Sequence, residues 1–159
     1  MKEEKTLRIL IIEDEEDNIE SSKQYFANHS EEFMYAKNFR EAKSIIYNGN
    51  IDGVISDVFF PTYESHRVVD ESEHQALGLA VGILCERKNI AYVLCSSEDH
   101  HRGKLKPICD AAGELNIKLV DFMAEWPPED LIGRKDWGEA YSCLKKEISK
   151  VAYRMHKDK

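Results

Sequence analysis

Positive charge is in short supply in this chain. It has 22 Lys and Arg against 30 Asp and Glu, for a net charge of -8. That excess argues against a nucleic-acid binder driven by overall charge. Cysteine is sparse and unpaired in sequence. Cys85, Cys95, Cys109 and Cys143 form no C-x-x-C pair and each lies in an apolar segment. They read as reduced core thiols, because a zinc site needs closer ligand spacing. No apolar run is long enough to span a bilayer. The start, "MKEEKTLRILII", carries acids early and no cleavage pattern. These absences lead to the expectation of a cytoplasmic protein with no membrane and no direct nucleic-acid partner. Internal repeats and low-complexity tracts are absent too. With 159 residues, 42% of them hydrophobic and 33% charged, the chain is expected to form one domain over 1–159.

The charge that is present is unevenly spread. Residues 13–20, "EDEEDNIE", hold six acids and no base, whereas residues 134–159 hold eight Lys and Arg against four acids. The basic end reads as a solvated helix face. Between these ends, strand and helix patterns alternate. Apolar stretches at 7–12, 32–36, 52–59, 90–96 and 117–123 predict five strands, and the intervening segments predict helices over 16–29, 38–49, 74–88 and 105–115. Asn38 and Glu41 form a capping box at the start of the second helix, and Gly49 can end it. The last helix, over about 136–154, shows Trp137, Tyr141, Leu144, Ile148, Val151 and Met155 at three- and four-residue steps. Five βα units with near-continuous apolar strands imply an α/β fold, a parallel sheet covered on both faces. Residues 60–74, "FPTYESHRVVDESEH", fit no unit and read as an extended loop, long enough to be functional. His66 and His74 lie in it.

One residue contradicts the apolar pattern. In "IDGVISDVFFP", Asp57 interrupts a buried strand, and an unpaired buried carboxylate is costly. In an open α/β sheet, ligands bind beyond the carboxyl ends of the strands. Glu13 and Asp14 end the first strand, Asp57 the third, and Ser96 and Ser97 the fourth. If those strands are neighbours, three carboxylates meet and repel unless a counter-charge joins them. A divalent cation would supply it, and all-oxygen ligands favour a hard ion such as Mg²⁺.

The same segments resemble a known family. "RILIIEDEEDN" is similar to the opening of the receiver domains of two-component response regulators, where an acidic pair ends the first strand. "FMYAKNFREAKSII" resembles the family's second strand and helix. "IDGVISDVFFP" resembles the phosphorylation segment, with Pro61 four residues after Asp57, and "YVLCSS" resembles the fourth strand ending in a hydroxyl. The resemblance covers about residues 7–155. It implies a flavodoxin-like, doubly wound (βα)5 sheet with strand order 2-1-3-4-5. It implies Asp57 as phosphoacceptor, Glu13, Asp14, Asp57 and the Phe59 carbonyl as Mg²⁺ ligands, and Ser96 as a phosphoryl contact. A sensor histidine kinase or phosphotransfer protein would be the donor and a downstream protein the target. With no output domain in sight, signalling by protein contact is expected of a stand-alone module that is no enzyme beyond its own phosphoryl transfer and hydrolysis.

Two departures stand against the pattern. The family places a lysine followed by proline at the end of the fifth strand. Here "VDFMAEWPPED" has Glu125 and Trp126 before Pro127, with no lysine between Lys118 and Arg134. Arg102 or Lys104 is the available substitute, and Phe122 the aromatic of that strand. The 60–74 loop is the second departure, an insertion of about a dozen residues. The missing lysine keeps an alternative open: a degenerate receiver acting as a phosphorylation-independent adaptor or scaffold. A Mg²⁺-dependent phosphohydrolase is less well supported, because the second acid it needs two residues after the nucleophile is Phe59 here.

Overall fold

The computed structural model describes residues 5–64, 74–98, 103–120 and 135–157. The elements follow in strict alternation: β1 (Arg8–Ile12), α1 (Glu16–Phe26), β2 (Glu32–Ala36), α2 (Phe39–Asn48), β3 (Gly53–Ser56), α3 (Leu77–Lys88), β4 (Ala91–Cys95), α4 (Leu105–Glu114), β5 (Leu119–Val120) and α5 (Trp137–Lys157). The strands form one parallel sheet in the order β2-β1-β3-β4-β5. This is the flavodoxin-like architecture expected from the sequence.

The period-2 geometry of a strand sends alternate residues to opposite faces. Ile9 and Ile11 of β1 join Ile55, Val93, Trp137, Ala140 and Leu144 in the layer that α5 and Phe26 of α1 cover. Leu10 and Ile12 join Val54, Ala42, Ile46, Val81 and Cys85 under α2 and α3. A third cluster, Val58, Leu94 and Leu105, packs α4 beside them. Both faces are thus buried, which is why these strands read as apolar runs rather than alternating ones. The α5 stripe holds for Trp137, Tyr141 and Leu144, which are buried, and for Ile148 and Val151, which are partly so. Met155 lies beyond the sheet and is exposed.

Local signals explain several boundaries. Asn38 caps α2 by accepting the Glu41 amide at 2.9 Å, while the Glu41 carboxylate accepts the Lys37 amide. At α5, the Asp136 carboxylate accepts the Glu139 amide at 2.9 Å, so "DWGE" fixes the helix start.

β3 is shorter than the 52–59 expected. It stops at Ser56, and Asp57 is the first residue past its end. The chain then continues through Phe60, whose amide and carbonyl pair with those of Gln75 in an isolated antiparallel bridge. Residues 74–76 therefore run extended, and α3 starts three residues later than the pattern suggested. Pro61 and Thr62 offer their carbonyls to the Phe39 and Arg40 amides. The start of the long loop is thereby fastened to the N-terminus of α2, satisfying donors the helix cannot. Residues 65–73 and the continuation of β5 toward Phe122 lie outside the described residues.

Gly78 lets α3 approach the sheet closely. A Cβ at this position would stand 2.5 Å from the Asp57 carbonyl oxygen and 3.0 Å from the Val58 Cα. Both are backbone atoms with no freedom to turn away. Gly78→Ala is therefore expected to destabilise the protein by ~1–3 kcal/mol in denaturant unfolding through overpacking. An unchanged midpoint would mean that α3 can slide without cost.

Candidate functional site

The parallel register brings the strand ends to one level. Ile12 of β1, Ser56 of β3 and Leu94 of β4 are aligned, so Glu13 and Asp57 emerge side by side, with Asp14 and Ser96 in the tier above. Backbone pairing extends this order: the Asp57 amide donates to the Ile12 carbonyl at 2.8 Å, the Glu13 amide to Ala36 and the Ser96 amide to Val120. One carboxylate oxygen from each of Glu13, Asp14 and Asp57 lies within 4.8 Å of the others. The strand ends thus bring together the three acids that the sequence singled out.

A cation stands among them. Lys135, the residue just before the Asp136 cap, hydrogen-bonds Glu13 Oε2 through Nζ and lies 3.1 Å from Asp57 Oδ1. The ammonium is buried, with 1% of the side chain exposed. Lys104, one of the expected substitutes, plays no such part. Lys104 lies 3.7 Å from Glu98 and 4.6 Å above the Phe59 ring, and Arg102 is outside the described residues, as are Glu125, Trp126 and His66. The reading of 134–159 as a solvated basic face fails for this residue as well. Counting forward from β5 missed Lys135 because the intervening segment is long. Counting back from the D-x-x-E cap points to it, because a residue next to a helix cap is held in place by that cap.

No family model and no curated protein matches the chain. Solved structures do. A signal receiver domain of an HD-domain protein from Pseudomonas fluorescens Pf-5 superposes with a TM-score of 0.60 at 15% identity, covering 94% of this chain and 99% of that one. A CheY-like response regulator receiver domain from Methanospirillum hungatei JF-1 gives 0.57 at 15%, covering 94% and 99%. A structure described as an adenylate cyclase from Rhodopirellula baltica gives 0.64 at 13%, covering 97% and 96%. The chain has the receiver-domain fold.

Within this receiver fold the acids differ in how they are engaged. Glu13 has both oxygens occupied, Oε1 by the Glu15 amide at 3.1 Å and Oε2 by Lys135. Asp57 Oδ1 accepts the Val58 amide at 2.7 Å and faces Lys135. Asp14 Oδ2 lies 3.0 Å from His74 Nε2, and its buried Oδ1 has no hydrogen-bond partner among the described residues. Ser96 is buried, and its hydroxyl oxygen accepts the Glu98 amide at 3.1 Å. The Phe59 ring packs against the Val58–Leu94–Leu105 cluster.

The electrostatics follow from burial. Desolvation raises Glu13 from 4.5 to about 7; Lys135 opposes the rise, Asp57 adds to it. Desolvation also raises Asp14, countered by His74 and reinforced by Asp57. For Lys135 burial disfavours the charge, but Asp57 and Glu13 outweigh it and its pKa is raised. The ammonium therefore stays protonated. With all three acids ionised, three carboxylates and one ammonium leave a formal charge of -2, which a divalent cation would balance. The donor set fits one: three oxygens converge, and the buried Asp14 Oδ1 awaits a partner.

The raised Glu13 pKa has a definite sign in stability. Between 4.5 and about 7 the folded protein binds more protons at Glu13 than the unfolded chain does, so this contribution falls as pH rises. Lys135→Met is expected to cost ~3–5 kcal/mol at pH 8, where it strands ionised buried acids, and markedly less at pH 5, where Glu13 takes a proton. Urea unfolding at the two pH values checks this. An equal loss at both would mean that packing, not charge, accounts for the effect.

Proposed function

We propose that the protein is a phosphorylation-controlled signalling receiver in which Asp57 accepts a phosphoryl group from the phosphohistidine of a partner kinase or phosphotransfer protein. The observation that carries this reading is the buried Lys135 ammonium shared by Glu13 and Asp57. The adaptor alternative rested on the lack of such a lysine, and Lys135 removes that ground. Output by contact with a downstream protein follows from the same reading.

The chemistry suits the residues present. Among the described residues, the hydrogen bond and ion pair of Asp57 both fall on Oδ1, which leaves Oδ2 as the attacking oxygen. An Oδ2–phosphorus bond forms as the bond from phosphorus to the donor imidazole nitrogen breaks, and that nitrogen leaves with the electron pair. Such a transfer needs positioning and charge stabilisation more than covalent chemistry from the protein. Val58 and Lys135 hold the Asp57 carboxylate in place, and Lys135 offers its charge to a phosphoryl oxygen once Asp57 is esterified. Ser96 is placed one tier above Asp57 on the neighbouring strand, where a hydroxyl can bond a second phosphoryl oxygen. Asp14 and Asp57, with the Phe59 carbonyl, would hold Mg²⁺ beside Glu13, whose two oxygens already accept from Lys135 and the Glu15 amide. When bound, the cation neutralises charge on the acids and the incoming phosphoryl oxygens.

Intact mass after incubation with a small-molecule phosphodonor and Mg²⁺ tests the reading. The native protein is expected to gain one phosphoryl group, and Asp57→Asn and an EDTA-treated sample none. No gain in the native protein with Mg²⁺ present would overturn the phosphoacceptor role and restore the adaptor.

A further inference from the structure

The segment before α3 delivers an imidazole to the acidic cluster. Gln75 is bridged to Phe60 by two backbone hydrogen bonds of 3.2 and 3.3 Å, and the Leu77 and Gly78 amides donate to Gln75 and Val58 at 2.7 and 3.0 Å. These contacts clamp 75–78 along the exit of β3. His74 is thereby placed at the cluster by the backbone and not by chance of a loose side chain. Its Nε2 is 3.0 Å from Asp14 Oδ2, and the two side chains are only 16% and 14% exposed.

The contact is close but is not a hydrogen bond. Among the described residues, buried Nε2 has no hydrogen-bond partner, and neither has the other Asp14 oxygen, Oδ1. An imidazole nitrogen and a carboxylate brought this close at the mouth of an acidic cluster are donors that a metal ion can take together. Metal–donor bonds of about 2.1 Å at right angles set adjacent donor atoms about 3.0 Å apart. The His74–Asp14 separation equals that octahedral edge. Glu13, meanwhile, is committed to Lys135 and the Glu15 amide, which shifts the available donors toward Asp14, Asp57 and His74.

We propose that His74 contributes an imidazole nitrogen to the cation held at Asp14, making this a mixed nitrogen–oxygen site that discriminates in favour of first-row transition ions over Mg²⁺. The inference rests on the cation site proposed above. Its physical basis is ligand softness: carboxylate and carbonyl oxygens suit Mg²⁺, whereas imidazole adds little for that ion and much for Co²⁺ or Zn²⁺. The inserted segment then has a function at the site, since it carries the residue that sets metal preference.

Calorimetric titration of the unphosphorylated full chain with Co²⁺ and with Mg²⁺ tests this. His74→Ala is expected to weaken Co²⁺ binding by about tenfold or more and Mg²⁺ binding by less than about threefold. His74→Gln, of similar size but with no imidazole, should match the alanine variant and so controls for packing. Electron spin echo on the Mn²⁺-loaded native protein should show nitrogen-14 modulation that His74→Ala abolishes. Equal losses for both ions, tighter binding in His74→Ala, or no modulation would overturn the inference. Co²⁺ binding that is lost in Asp14→Asn but indifferent to both His74 variants would overturn it alone. No binding of either ion by the native protein would overturn the cation site together with it.

Discussion

A single buried ammonium organises the upper end of this sheet. Lys135 is enclosed with Glu13 and Asp57 at the carboxyl ends of β1 and β3, where its charge opposes the rise that burial imposes on Glu13. Desolvating such charges costs several kcal/mol per ion, and the arrangement persists only because each partner is held by backbone that cannot relax away. Glu13 and Asp57 are fixed by strand register, and Lys135 by the Asp136 cap of α5. The link from β1 to α5 is therefore electrostatic at the top of the molecule and hydrophobic below it, where Ile9 and Ile11 meet Ala140 and Leu144.

That division has a functional consequence. The apolar layers need only volume and periodicity, so they position the strand ends without taking part in chemistry. The ends carry groups whose protonation and partners respond to any ligand that arrives. A phosphoryl group on Asp57 or a cation at Asp14 would change the charge that Lys135 faces. The ammonium stands directly before the first turn of α5, so such a change reaches a helix through one residue. The close packing of Gly78 against the Asp57 carbonyl gives α3 a similar proximity on the opposite face.

The chain's own peculiarities gather at the same end. The segment after β3 is tied down at both ends, by the Pro61 and Thr62 carbonyls at α2 and by the Phe60–Gln75 bridge before α3. Its tethering sets His74 beside Asp14. Lys135, the first described residue after β5, supplies the cation.

Local sequence determined most of the fold. Apolar runs, the Asn38 cap and the heptad-like stripe of α5 are short-range signals, and they located every element among the described residues, with errors confined to ends. β3 was overestimated because Val58 and Phe59 are apolar for a different reason: they pack with Leu94 and Leu105 after the strand has ended. The acids were legible because carboxylates at the ends of apolar runs are energetically conspicuous. Lys135 was not. Its pairing with Glu13 spans 122 positions. Nothing in the local composition of a basic C-terminal stretch marks one ammonium as buried and the rest as solvated. His74 beside Asp14 is likewise a product of the Phe60–Gln75 bridge. Such pairings depend on where chain segments return in space, and only the tertiary structure decides that.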